Sequence, residues 1–349
     1  MNWLYVIISK IIILVLFLTN NAFAGGTEVS RQNNMILFSN DKTVNFSTRT
    51  TSFNIKDDLF ASDNQTVVKK LSIFSAAFKS SYSENISYAF EMYEPMAVTL
   101  QYPSGVKAQL RSQALSLTGK YNFSGSGFGI VAGARQLTIK RSTLNIGAAL
   151  GDMTTTPDSG IGYVAGLSYE VPAIALKVLL TQAPGIDIEV PTTVVGSGTV
   201  SQPTFTTLEF ETGIAENTLL YGSIHQGEHA SAQVKLKGVG AISSFEDGEK
   251  YNIGIGRKFS DKLSGSLSYT TEEGTSATGT SLLSPTNGTD TYSLGLNYST
   301  ETTDITFGYA MSVYGDKAVT QLIGGNPFTG NFKNNDATTV GLRIKFKLP

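Results

Sequence analysis

Cysteine is absent from all 349 residues. That excludes disulfide frameworks, thiolate metal sites and cysteine nucleophiles, and it suits a chain exported through an oxidising periplasm. Charge is scarce as well: Asp, Glu, Lys and Arg together make up 15% of the chain, against roughly a quarter in ordinary soluble domains. Net charge is −2 with no basic cluster, so no nucleic-acid partner is expected. Histidine occurs only twice, and the first proline is Pro95. Beyond the N-terminus no apolar run approaches the length of a spanning helix, and no segment shows a convincing helical stripe.

What is present begins with "MNWLYVIISKIIILVLFLTNNAFAGG". A lone Lys10, the apolar run Ile11 to Leu18 and the Ala22-Phe23-Ala24 site describe a secretory signal peptide over residues 1–24. Residues 25–42 follow with no clear period, but they contain the adjacent apolar residues Met35, Ile36, Leu37 and Phe38.

From residue 43 to 349 the pattern is alternation. In "KYNIGIGRKFSDKLSGSLSYT", residues 250–270, Tyr251, Ile253 and Ile255 alternate with Asn252, Gly254 and Gly256. After Ser260-Asp261-Lys262, Leu263, Leu267 and Tyr269 alternate with small polar residues. Period 2 means two strands, each with one apolar face. The same reading gives fourteen strands: 43–55, 69–80, 86–96, 108–123, 128–146, 161–171, 173–184, 204–214, 219–235, 250–259, 263–273, 290–299, 304–314 and 337–348. Their connections alternate between tight turns, such as 82–85 and 260–262, and long Gly/Ser/Thr-rich loops, such as 185–203 and 315–336. Short turns at one end and long loops at the other, on an even number of strands, predict an all-β fold, a transmembrane antiparallel barrel of the outer-membrane type.

The opposite face is mostly small and polar, with Gly, Ser, Thr and Asn prominent, which suits a lumen. An apolar stripe facing lipid requires closure, because only a closed barrel satisfies every backbone group in hydrocarbon. Tyrosines near strand ends (Tyr121, Tyr163, Tyr251, Tyr292, Tyr298) fit interfacial girdles. A soluble sandwich would explain neither the sorted loops nor the tyrosines.

Few residues could carry chemistry. His225 and His229 are four apart, which on one strand is roughly 13 Å, too far for a shared metal ion. Glu91, Glu209 and Glu211 face inward by their neighbours, and opposite Lys177, Arg343 or Lys345 they would form a polar lumenal network. No serine is singled out as a nucleophile beside a histidine. The glycine pairs precede no helix and are not phosphate loops. No enzymatic activity, cofactor or metal is expected.

The segments "GIAENTLLYGSIHQGEHASAQVK" (213–235), "FEDGEKYNIGIGRKFSDKLSGSLSYTTEEG" (245–274) and "NNDATTVGLRIKFKL" (334–348), with the fainter "FEMYEPMAVTLQYPSG" (90–105), resemble the FadL family of outer-membrane transporters for hydrophobic compounds such as fatty acids. The resemblance implies a fourteen-stranded barrel of a Gram-negative outer membrane and an N-terminal hatch in its lumen. It also implies a kinked third strand that opens the wall sideways. Carried over, the hatch is residues 25–42 and the kink falls at Pro95, which either opens the wall there or simply ends the strand. The family's Asn-Pro-Ala hatch motif is missing, and Leu348-Pro349 replaces the usual final aromatic. The expected partners are outer-membrane lipids, the barrel-assembly machinery and a small hydrophobic ligand, with the barrel a monomer. The alternative is a porin-like or structural barrel without a specific hydrophobic ligand. Met35 to Phe38 weigh against that alternative, since an apolar patch has little use in an open polar pore.

Overall fold

In a computed structural model, the structure describes residues 26–39, 42–58, 65–145, 151–323 and 326–349. The signal-peptide expectation for 1–24 lies outside these residues. Fourteen antiparallel strands form the barrel wall. They are β1 (Lys42–Asn54), β2 (Leu71–Ser81), β3 (Ile86–Tyr93), β4 (Lys107–Asn122), β5 (Phe128–Ile139), β6 (Asp158–Val171) and β7 (Leu176–Ala183). The second half comprises β8 (Phe205–Ala215), β9 (Thr218–Gly227), β10 (Gly248–Lys258), β11 (Leu263–Glu272), β12 (Asn287–Ser299), β13 (Thr303–Gly315) and β14 (Asn335–Leu348). Neighbours in sequence are neighbours in the wall, and β14 returns to β1 from Lys42↔Leu348 to Asn54↔Asp336. That seam pairs the first strand with the last and closes the barrel, as a sheet in hydrocarbon requires.

The period-2 pattern sorts the faces. On β12 and β13, Tyr292, Leu294, Leu296, Ile305, Phe307 and Met311 are exposed outward, while Ser293, Asn297, Thr306 and Ser312 are buried toward the lumen. Outward tyrosines mark both ends: Tyr82, Tyr121 and Tyr298 at the tight-turn end, and Tyr163, Tyr251 and Tyr292 at the other. An outward apolar band between aromatic girdles is the surface of a transmembrane barrel. Among the described residues no helix is long and apolar enough to cross a membrane.

Glycine matters where a side chain must cross the lumenal surface. A Cβ on Gly254 would meet the Tyr221 hydroxyl at 1.9 Å. The Tyr221 ring lies across that glycine and donates to the Leu267 carbonyl at 3.0 Å.

Several strand boundaries differ from the sequence expectation. The third strand ends at Tyr93, not Met96, because Pro95 has no N–H to continue the ladder. The ninth ends at Gly227, not residue 235, since the chain turns there and folds His229 back over it; a Cβ on Gly227 would meet His229 Nε2 at 2.5 Å. The strand expected over 128–146 breaks after Ile139. The long loops are themselves structured. Residues 186–192 pair with 196–202, and 317–323 pair with 326–332. Their side chains, with the upper ends of the barrel strands, build an apolar core that includes Ile55, Val67, Leu100, Ile139, Ile188, Leu282 and Phe332. Apolar packing therefore sits over the long-loop mouth, while polar residues line much of the lumen.

Candidate functional site

The site is the meeting of three things: the N-terminal segment inside the barrel, the kink after β3, and an apolar cavity under the long loops. Residues 26–39 descend through the lumen from the long-loop half to the tight-turn end, where β1 begins. At the top, Thr27 accepts from Ala97 N–H at 3.0 Å and Val29 N–H donates to the Pro95 carbonyl at 2.8 Å. One turn down, Arg31 reaches Glu209 at 3.6 Å and Ser223 at 3.2 Å. Asn33 N–H donates to Glu91 at 3.0 Å, and Ser87 donates to the Leu37 carbonyl at 3.0 Å. Lys79 donates to the Ser39 carbonyl beside the start of β1.

The lower part is apolar. Residues Asn34–Phe38 form a short 3-10 turn. With three residues per turn, consecutive side chains point about 120° apart, so four adjacent apolar residues can all meet a surrounding wall. Met35, Ile36, Leu37 and Phe38 are buried against Ala89 of β3, Val131 of β5 and Leu179 of β7. The Lys120 ammonium lies 3.8 Å from the Phe38 ring centre, a cation–π contact.

The upper part is charged. Glu28 takes His225 Nε2 at 3.1 Å on one carboxylate oxygen and Lys250 Nζ at 3.1 Å on the other. Burial alone would raise the Glu28 carboxyl, but His225 and Lys250 outweigh it and hold it well below the ordinary carboxylate range. His225 also bonds Thr207 at 2.7 Å through Nδ1. His229 lies beyond β9, so the two histidines do not share one strand and the strand-spacing argument fails. Both rings instead rest on Phe205, at 4.9 and 5.8 Å between centroids. Burial pushes the His229 imidazole down to about 4, against the pull of Glu28. Among the described residues no group of three metal-ligating side chains forms.

Other lumenal charges pair within the wall. Lys177 pairs with Glu211 at 2.6 Å and Lys120 pairs with Glu170. Arg343 instead bonds Thr306 at 3.4 Å, and Lys345 pairs with Asp304 at 2.6 Å, so these two cations serve the β13–β14 wall. Sequence reasoning missed Glu28, Arg31 and Lys250. The first two sit in an aperiodic segment, and Lys250 lies 222 positions from its partner Glu28. The only signal was the neighbouring apolar run, which marked the segment as one that needs shelter.

Pro95 stands at the kink. Tyr93 pairs with Ala114, and the next pair is Ala97 with Arg111, so three residues face two. Ser112 spans the extra residue, taking Met96 N–H at 2.9 Å and donating to the Met96 carbonyl at 2.8 Å. Above the kink lies a cavity of about 70 Å³ whose walls include Val98, Leu110, Met153, Val200 and Phe245, with Thr27 of the N-terminal segment among them.

No protein-family model matches the chain, and no curated protein matches it in sequence. Solved structures do match in shape. A FadL homologue of Pseudomonas aeruginosa superposes with a TM-score of 0.77 at 11% identity, over 97% of this chain and 99% of that one. The toluene transporter TodX of P. putida gives 0.64 at 9% identity, over 95% and 99%. The toluene transporter TbuX of Ralstonia pickettii gives 0.61 at 10% identity, over 96% and 100%. Closed fourteen-stranded wall, sorted loops and whole-length superposition together show that this chain has the fold of the FadL-like outer-membrane transporters.

Proposed function

We propose that the protein is a passive outer-membrane channel for small, uncharged hydrophobic compounds, with the N-terminal segment closing the lumen until a ligand competes for its place. The observation that carries this reading is the apolar cavity beneath the long loops, which has Thr27 in its wall. A ligand there touches the segment that fills the lumen. A cavity with almost no polar lining stays dry and takes apolar molecules. Lys235 is its one charged lining residue among the described residues, and that side chain is exposed. Nothing buried there neutralises a carboxylate, so a neutral hydrocarbon is favoured over a fatty acid. The names of the toluene transporters among its structural neighbours agree with that choice.

The test is uptake by cells carrying the protein as their only hydrophobic-compound channel. Radiolabelled toluene is expected to enter saturably, with oleate a poor competitor. Uptake no faster than in cells without the protein refutes the reading, and strong inhibition by oleate moves it to fatty acids.

A further inference from the structure

Below the apolar cavity lies a second cavity, polar and about 40 Å³ in volume, between residues 28–34 of the N-terminal segment and the wall. The two are stacked. Thr27 lines the upper one and the next residue, Glu28, lines the lower. On the returning strand of the loop hairpin, 196–202, Val200 lines the upper cavity and Gln202 the lower. Residues two apart on a strand share a face and stand roughly 7 Å from each other. One small aromatic molecule covers that step.

The lower cavity gathers polar atoms that have no partner in the protein. Gln202 Oε1, Asn34 Oδ1 and Arg135 Nε are each buried without a hydrogen bond, on side chains under a tenth exposed, and all three residues line this cavity. Arg135 is fixed in place by the Pro184 carbonyl at 2.6 Å and by the Tyr93 hydroxyl. The carboxylates nearby are already engaged: Glu28 holds His225 and Lys250, and Glu209 holds Arg31. A buried donor or acceptor left unpaired costs its full desolvation. A cavity of this size has room for roughly two or three waters, or for one polar group of a ligand with a water beside it.

We infer that the stacked cavities select small aromatic compounds bearing one neutral hydroxyl, with the ring in the upper cavity and the hydroxyl in the lower. A hydroxyl both donates and accepts. It accepts from Arg135 Nε–H and donates to Gln202 Oε1, and a water serves Asn34. A carboxylate has no proton to give either amide oxygen, and it would stand beside Glu28 and Glu209. An ammonium leaves Arg135 Nε unpaired and adds another cation next to Arg31 and Arg135. A bare hydrocarbon fills the upper cavity and leaves the lower one to water. A site built to bond a hydroxyl discriminates against the analogue lacking it far more strongly than an apolar pocket discriminates by size. Gln202 and Arg135 are therefore the specificity-determining residues. This inference rests on the transport reading above and narrows its ligand class from hydrocarbons to phenols.

The test is titration calorimetry on the purified full-length protein with toluene and with p-cresol, which is toluene plus one hydroxyl. p-Cresol is the less hydrophobic of the two, so tighter binding has to come from the hydroxyl. It is expected to bind roughly tenfold more tightly than toluene, or better. Gln202→Met keeps the length of the side chain but removes its acceptor, and is expected to bring the two affinities together; Arg135→Met is expected to do the same. Folding of each variant is read from its heat-modifiable gel band. Benzoate and benzylamine are expected to compete poorly with p-cresol. Equal affinities for toluene and p-cresol in the parent overturn the hydroxyl site and leave the transport reading standing, and this comparison needs no variant to fold. A preference for p-cresol that survives in a folded Gln202→Met barrel overturns it as well, as does benzoate binding more tightly than p-cresol. A parent protein that binds neither toluene nor p-cresol overturns the transport reading itself, and the hydroxyl site falls with it.

Discussion

The double substitution Ile36→Ser with Leu37→Ser tests whether the N-terminal segment is held only marginally. Met35, Ile36, Leu37 and Phe38 are all under a tenth exposed. Burying each contributes roughly 1.5–3 kcal/mol, or about 6–12 kcal/mol for four. Ordering the five residues of the 3-10 turn costs about 1–2 kcal/mol each. The surplus is therefore only a few kcal/mol, and removing two apolar side chains takes away roughly 3–6 kcal/mol. The lower half of the segment is expected to leave the lumen, while Glu28 and Arg31 still anchor the upper half through Lys250, His225 and Glu209. No ladder pair of the wall is touched, so the barrel keeps its heat-modifiable migration. Conductance in planar bilayers is expected to rise, and a protease added at the tight-turn end is expected to cut within 33–39 of the variant but not of the parent. Unchanged conductance together with retained protection would refute the marginal-docking argument.

Two further outcomes follow from the wall and from the charged anchor. Leu294→Arg is expected to cost roughly 2–4 kcal/mol of barrel stability near the bilayer midplane, and the inward Ser293→Arg much less; equal losses in reversible urea unfolding would put the register one residue out. Acid is expected to release the upper anchor. His229, against which Gly26 of the docked segment packs, is held at about 4 against an ordinary 6.5, so once the segment leaves, the uncovered ring binds the proton that the covered one refuses. Between those values stability of docking falls as pH falls, by up to about 3 kcal/mol. Glu28, held low, withdraws its own contribution only at still lower pH, as its carboxylate protonates. Conductance that stays flat from pH 7 down to pH 4 contradicts this.

The wall was legible because alternation is local. Each strand announces its faces through its own residues, and the fourteen expected ranges overlap the fourteen observed. The errors cluster where tertiary contacts end a strand that the pattern would continue, as at Gly227 under His229. The loop hairpins escaped notice although Ile186, Ile188 and Val190 alternate with Asp187 and Glu189, because Pro191 and the Gly-Ser-Gly at 196–198 make the stretch look like irregular chain. The charged anchor was illegible for a different reason. Glu28 meets His225 and Lys250 across the lumen, and neither pairing has a signature in the spacing of neighbouring residues. Pro95 marked where the ladder breaks but not which way the chain turns.

The path of residues 26–39 also constrains how the molecule comes into being. The chain runs down through the lumen and then up along β1, the strand that forms the closing seam with β14. A segment doubled back inside its own cylinder has two routes in: wall strands curl around it before the seam zips, or its free end threads a finished cylinder from the tight-turn mouth. The first route makes the segment a mandrel. Its ties to β2, β3, β4, β8, β9 and β10 would then gather distant strands while the sheet is still open. On that route a weakened segment slows maturation of the barrel even where the finished wall is just as durable, so assembly rate and final stability part company.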